Sequence, residues 1–220
     1  MKGVIMKVKF LGHAAFLITA ESGVRIITDP YKPGCFDGGI KYDPITEEAD
    51  IVTISHEHDD HNETNIKGKP VFVRDIDKRT IKNIEIFGTS VYHDTSEGKE
   101  RGKNIVFNIS IDGMNIVHLG DLGHELSPED IKHIGNVDIL LIPVGGYFTI
   151  DAGTADSIIE ILKPKIVIPM HFKTDKCGFP IAGIEDFTRG KEIKKVTGDL
   201  VIRTNDLPDT TVIYHLEPTK

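Results

Sequence analysis

The chain has 220 residues and a formal net charge of −8, long enough for one sizeable domain, and no Pro/Gly/Ser-rich linker divides it, so residues 1–220 are expected to form a single domain. Lys and Arg are scattered rather than gathered in a stripe, which argues against a nucleic-acid partner or docking on an anionic membrane. No apolar run approaches the roughly 20 residues that span a bilayer.

Lys2, Lys7 and Lys9 head the chain, but residues 4–18 alternate apolar and polar and are broken by Gly12 and His13, unlike the apolar stretch of a signal peptide, so a cytoplasmic protein is expected. Residues 8–12, 14–20 and 24–28 read as three short strands of an opening meander. Residues 29–50, rich in Pro and Gly and without periodicity, form a long loop that can border a site. The apolar run 51–55 is a buried strand that stops at a histidine cluster. Strands are expected at 70–73, 84–92, 104–111 and 115–119, with a short helix at 75–82. Ser127, Pro128, Glu129 and Asp130 announce a helix to about Ile134, because Ser caps the free amides, Pro fits the first turn and acids suit the dipole. The remainder alternates: strand 137–144, helix 154–162, strand 166–170, helical turns at 184–190, and closing strands at 201–204 and 211–215. Cys35 and Cys177 are too few for a disulfide framework and too distant for a zinc knuckle, so both are expected to be plain thiols.

The cluster at the end of strand 51–55 reads H-E-H-D-D-H from His56 to His61. Such a density of imidazoles and carboxylates at a strand end is costly unless a cation neutralises it. His56 and His58 lie two apart and project from one face toward one ion. Asp60 and His61, past the apex of the loop, can face a second. Imidazole and carboxylate together suit zinc, with manganese or iron as the alternatives. The segment supplies too few ligands alone, and the further ones stand at strand ends downstream: His93 after S-V-Y, Asp121 after I-V-H-L-G, and His171 after I-V-I-P-M. His118 competes with His93 for the third place, and the strand-terminal position favours His93.

This ordered set, with G-H-A-A-F-L-I near the start and T-D-P-Y at Thr28 to Tyr31, resembles the metallo-β-lactamase superfamily over nearly the whole chain. Within it the chain is similar to the small metal-dependent hydrolases that include the ascorbate-phosphate lactonases. The resemblance implies an α/β fold, a four-layer αβ/βα sandwich, and two divalent metal ions. It assigns His56, His58 and His93 to the first metal, Asp60, His61 and His171 to the second, and Asp121 as the bridge. It also implies a small-molecule substrate and self-association into a homo-oligomer. The Cys of true β-lactamases is not supplied, which argues against antibiotic hydrolysis. The helical domain of glyoxalase II, the basic arm of nucleic-acid processing members and the flavodoxin domain of di-iron flavoproteins have no counterpart here.

The activity expected is hydrolysis of a small ester, lactone or phosphodiester by a metal-bridging hydroxide. Asp60 would ligate and orient the nucleophile. His13 is the favoured proton donor to the leaving group, ahead of Asp94, His118 and His124. Two other classes compete: an iron-dependent redox enzyme on the same fold and a non-catalytic binding module. The charged segment 97–103 reads as a solvated loop, although its place after His93 would let Arg101 or Lys103 meet an anionic substrate. Tyr147 and Phe148 either stack on substrate or cover the core.

Overall fold

The computed structural model describes residues 5–220; Lys2 and Val4 lie outside them. The opening meander is present as β1 (Ile5–Gly12), β2 (Ala15–Thr19) and β3 (Arg25–Thr28). Along β1 the buried Met6, Val8 and Phe10 flank the exposed Lys7, the period of two that puts alternate side chains on opposite faces. Strands β4 (Ile51–Thr53) and β5 (Val71–Val73) continue parallel to β3, and β13 (Leu200–Arg203) returns to pair with β1. The result is a six-stranded sheet of order β13-β1-β2-β3-β4-β5.

The second sheet has eight strands. Its antiparallel half is β6 (Arg79–Ile81), β7 (Ile84–Tyr92), β8 (Lys103–Ile111) and β9 (Met114–His118). Its parallel half is β10 (Ile139–Pro143), β11 (Ile166–Met170), β14 (Val212–Leu216) and, at the edge, β12 (Ile193–Val196). One cluster of buried side chains draws on both sheets, with Phe10, Phe16 and Ile26 from the first and Phe107, Ile116 and Leu140 from the second. A second cluster joins Leu17, Ile27 and Val52 to Tyr31, Ile40 and Tyr42. The outer face of the six-stranded sheet is therefore covered largely by the loop 29–50, which carries only the short turn α1 (Cys35–Gly38). Helices α2 (Pro128–Ile134), α3 (Ala152–Leu162) and α4 (Ile184–Thr188) complete the α/β sandwich.

Helix α2 starts as expected: Ser127 accepts the N–H of Asp130 at 3.2 Å and donates its own N–H to the Asp130 carboxylate at 2.9 Å, a reciprocal cap. The helix expected at 75–82 is absent. Asp75 accepts the N–H of Asp77 at 3.2 Å, an Asx turn that draws the backbone out of the helical path. Residues 79–81 then pair with β7 as β6, through a turn at Lys82 and Asn83 whose φ values of 50° and 65° match the primed hairpin turns. Strand β12 was not anticipated: its central Lys194 and Lys195 are exposed, as suits the edge of a sheet. Cys35 and Cys177 are both free. No helix among the described residues is long and apolar enough to cross a membrane.

The sandwich positions the chemistry at one edge. His13 follows β1, Asp29 follows β3, the 56–61 run follows β4, His93 follows β7, Asp121 follows β9, and His171 follows β11. In each case a buried strand ends and a polar residue emerges where loops can converge.

Candidate metal centre

The histidines and acids that the sequence singles out converge into two adjoining groups. Nitrogens of His56, His58 and His93 lie within 4.8 Å of one another, and so do ligand atoms of His13, Asp60, His61 and His171. Asp121 stands between the groups. Its Oδ2 is 3.2 Å from His93 Nε2, 3.3 Å from His171 Nε2 and 3.8 Å from His56 Nε2, and its Oδ1 is 3.2 Å from His61 Nε2. One buried carboxylate thus faces imidazoles of both groups.

The backbone is bent to achieve this. His13, Asp29 and His171 all take left-handed conformations, with φ of 56°, 38° and 51°, which residues other than glycine adopt only when their surroundings hold them there. The peptide N–H of His171 donates to the His13 carbonyl at 2.8 Å, so the tip of the β1–β2 turn fastens the end of β11. Gly120 and Gly123 permit the close passage of the Asp121 loop: a Cβ on Gly120 would meet the Asn104 amide oxygen at 2.3 Å, and one on Gly123 would meet the His93 carbonyl carbon at 2.3 Å. Asn104 uses that oxygen to accept the Asp121 N–H at 3.0 Å.

Behind the imidazoles lies a polar support centred on Asp29. Its carboxylate accepts the Ser55 N–H at 2.8 Å, the Ser55 hydroxyl, and His61 Nδ1–H at 3.0 Å. Because the Ser55 hydroxyl gives its single proton to Asp29, it accepts from His56 Nδ1 at 2.9 Å. Both rings are thereby fixed with Nε2 turned inward. His56 Nε2, His61 Nε2, His171 Nε2 and Asp121 Oδ1 are buried without a hydrogen-bond partner among the described residues. Orphaned buried donors and acceptors are rare and call for an explanation. A set of inward imidazole nitrogens around a carboxylate fits the binding of divalent metal.

Protonation agrees with that fit. Burial, followed by the neighbouring His61, lowers His56 to about 3, and burial also lowers His58. Both therefore carry an unprotonated nitrogen near neutrality. His61 is the exception: burial opposes its protonation, but Asp121 and Asp60 outweigh that and raise it well above the ordinary value, marking the place that attracts positive charge. Burial works to raise Asp60 and Asp121, yet the surrounding imidazoles hold both below the usual carboxylate range.

Of the four proton-donor candidates, Asp94, His118 and His124 lie outside both ligand groups, and His13 lies within one. His13 lies behind Asp60, with Nε2 3.0 Å from Asp60 Oδ2, and does not line the cavity; burial, followed by His171, lowers it to about 4. Asp94 turns into its own loop, accepting the N–H groups of Ser96, Gly98, Glu100 and Arg101. His118 is buried, accepting the Gly120 N–H and donating to the Ala14 carbonyl at 2.9 Å, outside both ligand groups. His124 receives the Tyr92 N–H at 3.0 Å and donates to the Glu125 carbonyl.

Asp29, Ser55 and Asn104 were given no role by sequence reasoning, although Asp29 ends a strand as the ligands do and sits in the T-D-P-Y segment. The cavity over the centre, about 240 Å³, is walled by Phe36, Phe148, Phe179 and Arg101. Of these, Arg101 and Phe148 were singled out from the sequence. Cys177 lies outside that wall, buried.

The family described as the beta-lactamase superfamily domain matches residues 7–171. A UPF0173 metal-dependent hydrolase of Carboxydothermus hydrogenoformans is 32% identical over 198 residues, covering 77% of this chain and 85% of that protein. Another from Thermococcus onnurineus is 32% identical over 221 residues, covering 89% and 93%. Among solved structures, a metallo-β-lactamase superfamily protein of Thermotoga maritima superposes with a TM-score of 0.77 at 32% identity, covering 96% of this chain and all of that one.

Proposed function

Since the chain belongs to the beta-lactamase superfamily and, within it, to the UPF0173 metal-dependent hydrolases, we propose that it cleaves a small ester, lactone or phosphodiester in the cytoplasm. His56, His58 and His93 would hold one divalent cation, Asp60, His61 and His171 a second, and Asp121 both. Zinc is the first choice for this donor set, with manganese or iron as alternatives. The observation that carries the reading is the position of Asp121, 3.2 to 3.8 Å from imidazole nitrogens of both groups.

When bound, a pair of such cations supplies a water acidified to near neutrality and a Lewis acid for the electrophile. The chain's own residues do the rest. His13 fixes Asp60 through the Oδ2 contact at 3.0 Å, leaving Asp60 on the cavity wall to orient a nucleophilic water. A proton that reaches or leaves the cavity through His13 must pass Asp60. The aromatic wall of Phe36, Phe148 and Phe179 limits access of bulk water and strengthens electrostatic interactions inside.

The test is metal analysis of protein purified without added metal, paired with a screen of phosphodiesters, lactones and thioesters on wild type and Asp121→Ala. Two equivalents of divalent metal per chain and a loss on the order of a thousandfold in the variant are expected, from the several kcal/mol that metal ions contribute to the transition state. Near-zero metal in the wild type, or full activity in a variant stripped of the second ion, would overturn the reading.

A further inference from the structure

Resting on the hydrolase reading of the metal centre, we infer that the substrate carries a separate oxyanion group, a carboxylate or phosphate, joined to an apolar body, and that Arg101 is the specificity-determining residue that holds it. The cavity of about 240 Å³ has the metal centre as its floor. That volume lies below the roughly 300–1,000 Å³ of ordinary small-molecule sites, so the ligand is compact. Its wall is a continuous arc of rings. Phe36 meets Phe179 at 5.7 Å between centroids, and Phe179 meets Phe148 at 5.7 Å. The arc ends where the Arg101 guanidinium stacks 5.6 Å from the Phe148 centroid.

Arg101 is the only Lys or Arg among the lining residues. Among the described residues no group accepts a hydrogen bond from its guanidinium, and its nearest carboxylate, Glu100, stands at 3.6 Å, beyond hydrogen-bond range. Glu100 already receives the Ser96 hydroxyl at 2.9 Å on its other oxygen. The planar donor fork of Arg101 thus has an ion-pair neighbour in Glu100 but no hydrogen-bond acceptor, and that fork matches carboxylate and phosphate oxygens two at a time.

The residue is also held in place. Asp94, next to His93, accepts the Arg101 N–H at 2.8 Å together with three other peptide N–H groups of the loop. The backbone of Arg101 is therefore fastened near the end of β7, and Phe148 lies beside its guanidinium, an arrangement that lowers the ordering cost of binding. Lys103, another cation of this loop, lines a neighbouring groove that Arg101 also borders, and does not line the cavity. Arg101 pairs with neither Asp60 nor Asp121 among the described residues and stands at the end of the aromatic arc rather than among the floor residues, so the anion assigned to it is a second group of the ligand. A neutral ester would leave the fork unmatched. A compact ester or lactone bearing its own carboxylate or phosphate fits both ends.

Zinc-loaded wild type, Arg101→Gln and Arg101→Lys, matched for zinc content, provide the test. Calorimetry with phenylacetate, phenylphosphonate and neutral benzyl alcohol reads binding, and the two anions separate a carboxylate from a phosphate preference. Hydrolysis of mono-4-nitrophenyl succinate and of its neutral methyl ester reads selectivity. Arg101→Gln should weaken binding of the preferred anion by about tenfold or more, as expected for loss of a charge-assisted hydrogen bond, and leave benzyl alcohol unchanged. It should lower kcat/KM for the anionic ester by a similar factor, mostly through KM, and spare the neutral ester. Arg101→Lys should recover part of both. Unchanged binding of both anions, or equal losses on the two esters, would overturn the role of Arg101 while leaving the hydrolase reading intact. If wild type cleaves neither ester but Arg101→Gln still loses anion binding, the carboxylic-ester form of the hydrolase reading falls and the anion site stands.

Discussion

The carboxylate of Asp29 receives Nδ1–H of His61 at 3.0 Å, with both side chains wholly out of solvent. Through Ser55 the same carboxylate also sets the ring of His56. One acid outside the wall of the cavity over the centre thereby orients imidazoles in both ligand groups. Asp29→Asn keeps the shape but replaces an acceptor oxygen with a donor, so the three hydrogen bonds now received cannot all be kept. Metal affinity should fall by about 10–100-fold, the usual cost of losing such support. Competition with a chromophoric chelator measures it, and an unchanged affinity would show that Asp29 does not orient the ligands.

Gly123 separates the Asp121 loop from the His93 backbone by less than a methyl group. In Gly123→Ala the new Cβ would lie 2.3 to 2.5 Å from the carbonyl of His93 and the nitrogen of Asp94. Neither can swing aside as a side chain could, so the two ligand loops must part. The expected result is loss of metal and of any hydrolysis, with far-ultraviolet circular dichroism unchanged. Wild-type metal content in the variant would show that the loops part elsewhere.

His118 is neutral and buried, with its pKa lowered from 6.5 chiefly by burial and only partly restored by Asp29. Between that lowered value and 6.5 the unfolded chain binds one more proton than the folded one. The contribution of His118 is therefore complete above pH 6.5 and is lost as pH falls toward the folded value. Urea unfolding should show a stability that declines with acidification, and His118→Asn should reduce the slope by up to about 1.4 kcal/mol per pH unit. Identical slopes in the two proteins would exclude this source.

Ser127 caps α2 far from the metal centre in function. Ser127→Ala removes the acceptor for the Asp130 N–H and should cost about 1 kcal/mol of stability with metal content untouched. Chemical denaturation and metal analysis of the same sample check both halves of that expectation.

The cap at Ser127 was legible because it is local: Ser, Pro and two acids state their purpose within four residues. Strands β7 and β11 were legible to the residue for a related reason, since an alternating pattern in β7 and a buried apolar run in β11, each ended by a histidine, mark both the strand and its terminus. The same rule found His56, His93 and His171. It did not give Asp29 a role, because a lone acid after a strand looks like any turn residue until Ser55 and His61 are brought against it. Strand β6 was misread as a helix because its short segment pairs only with β7, and pairing partners are not visible locally. The aromatic wall brings Phe36 to Phe148 and Phe179, both more than a hundred positions later, and no spacing along the chain encodes that meeting.

Each group of ligands takes residues from both sheets. His56 and His58 follow β4 while His93 follows β7, and Asp60 and His61 follow β4 while His171 follows β11. Cations held there would close the two halves of the sandwich along one edge like a clasp. Docking of the sheets and metal loading then become one equilibrium, and free metal at a hundredfold its dissociation constant would add about 2.7 kcal/mol to the docked state. Metal scarcity would in that case reduce the standing amount of intact enzyme as well as its turnover, so cellular abundance of this protein would track the metal supply.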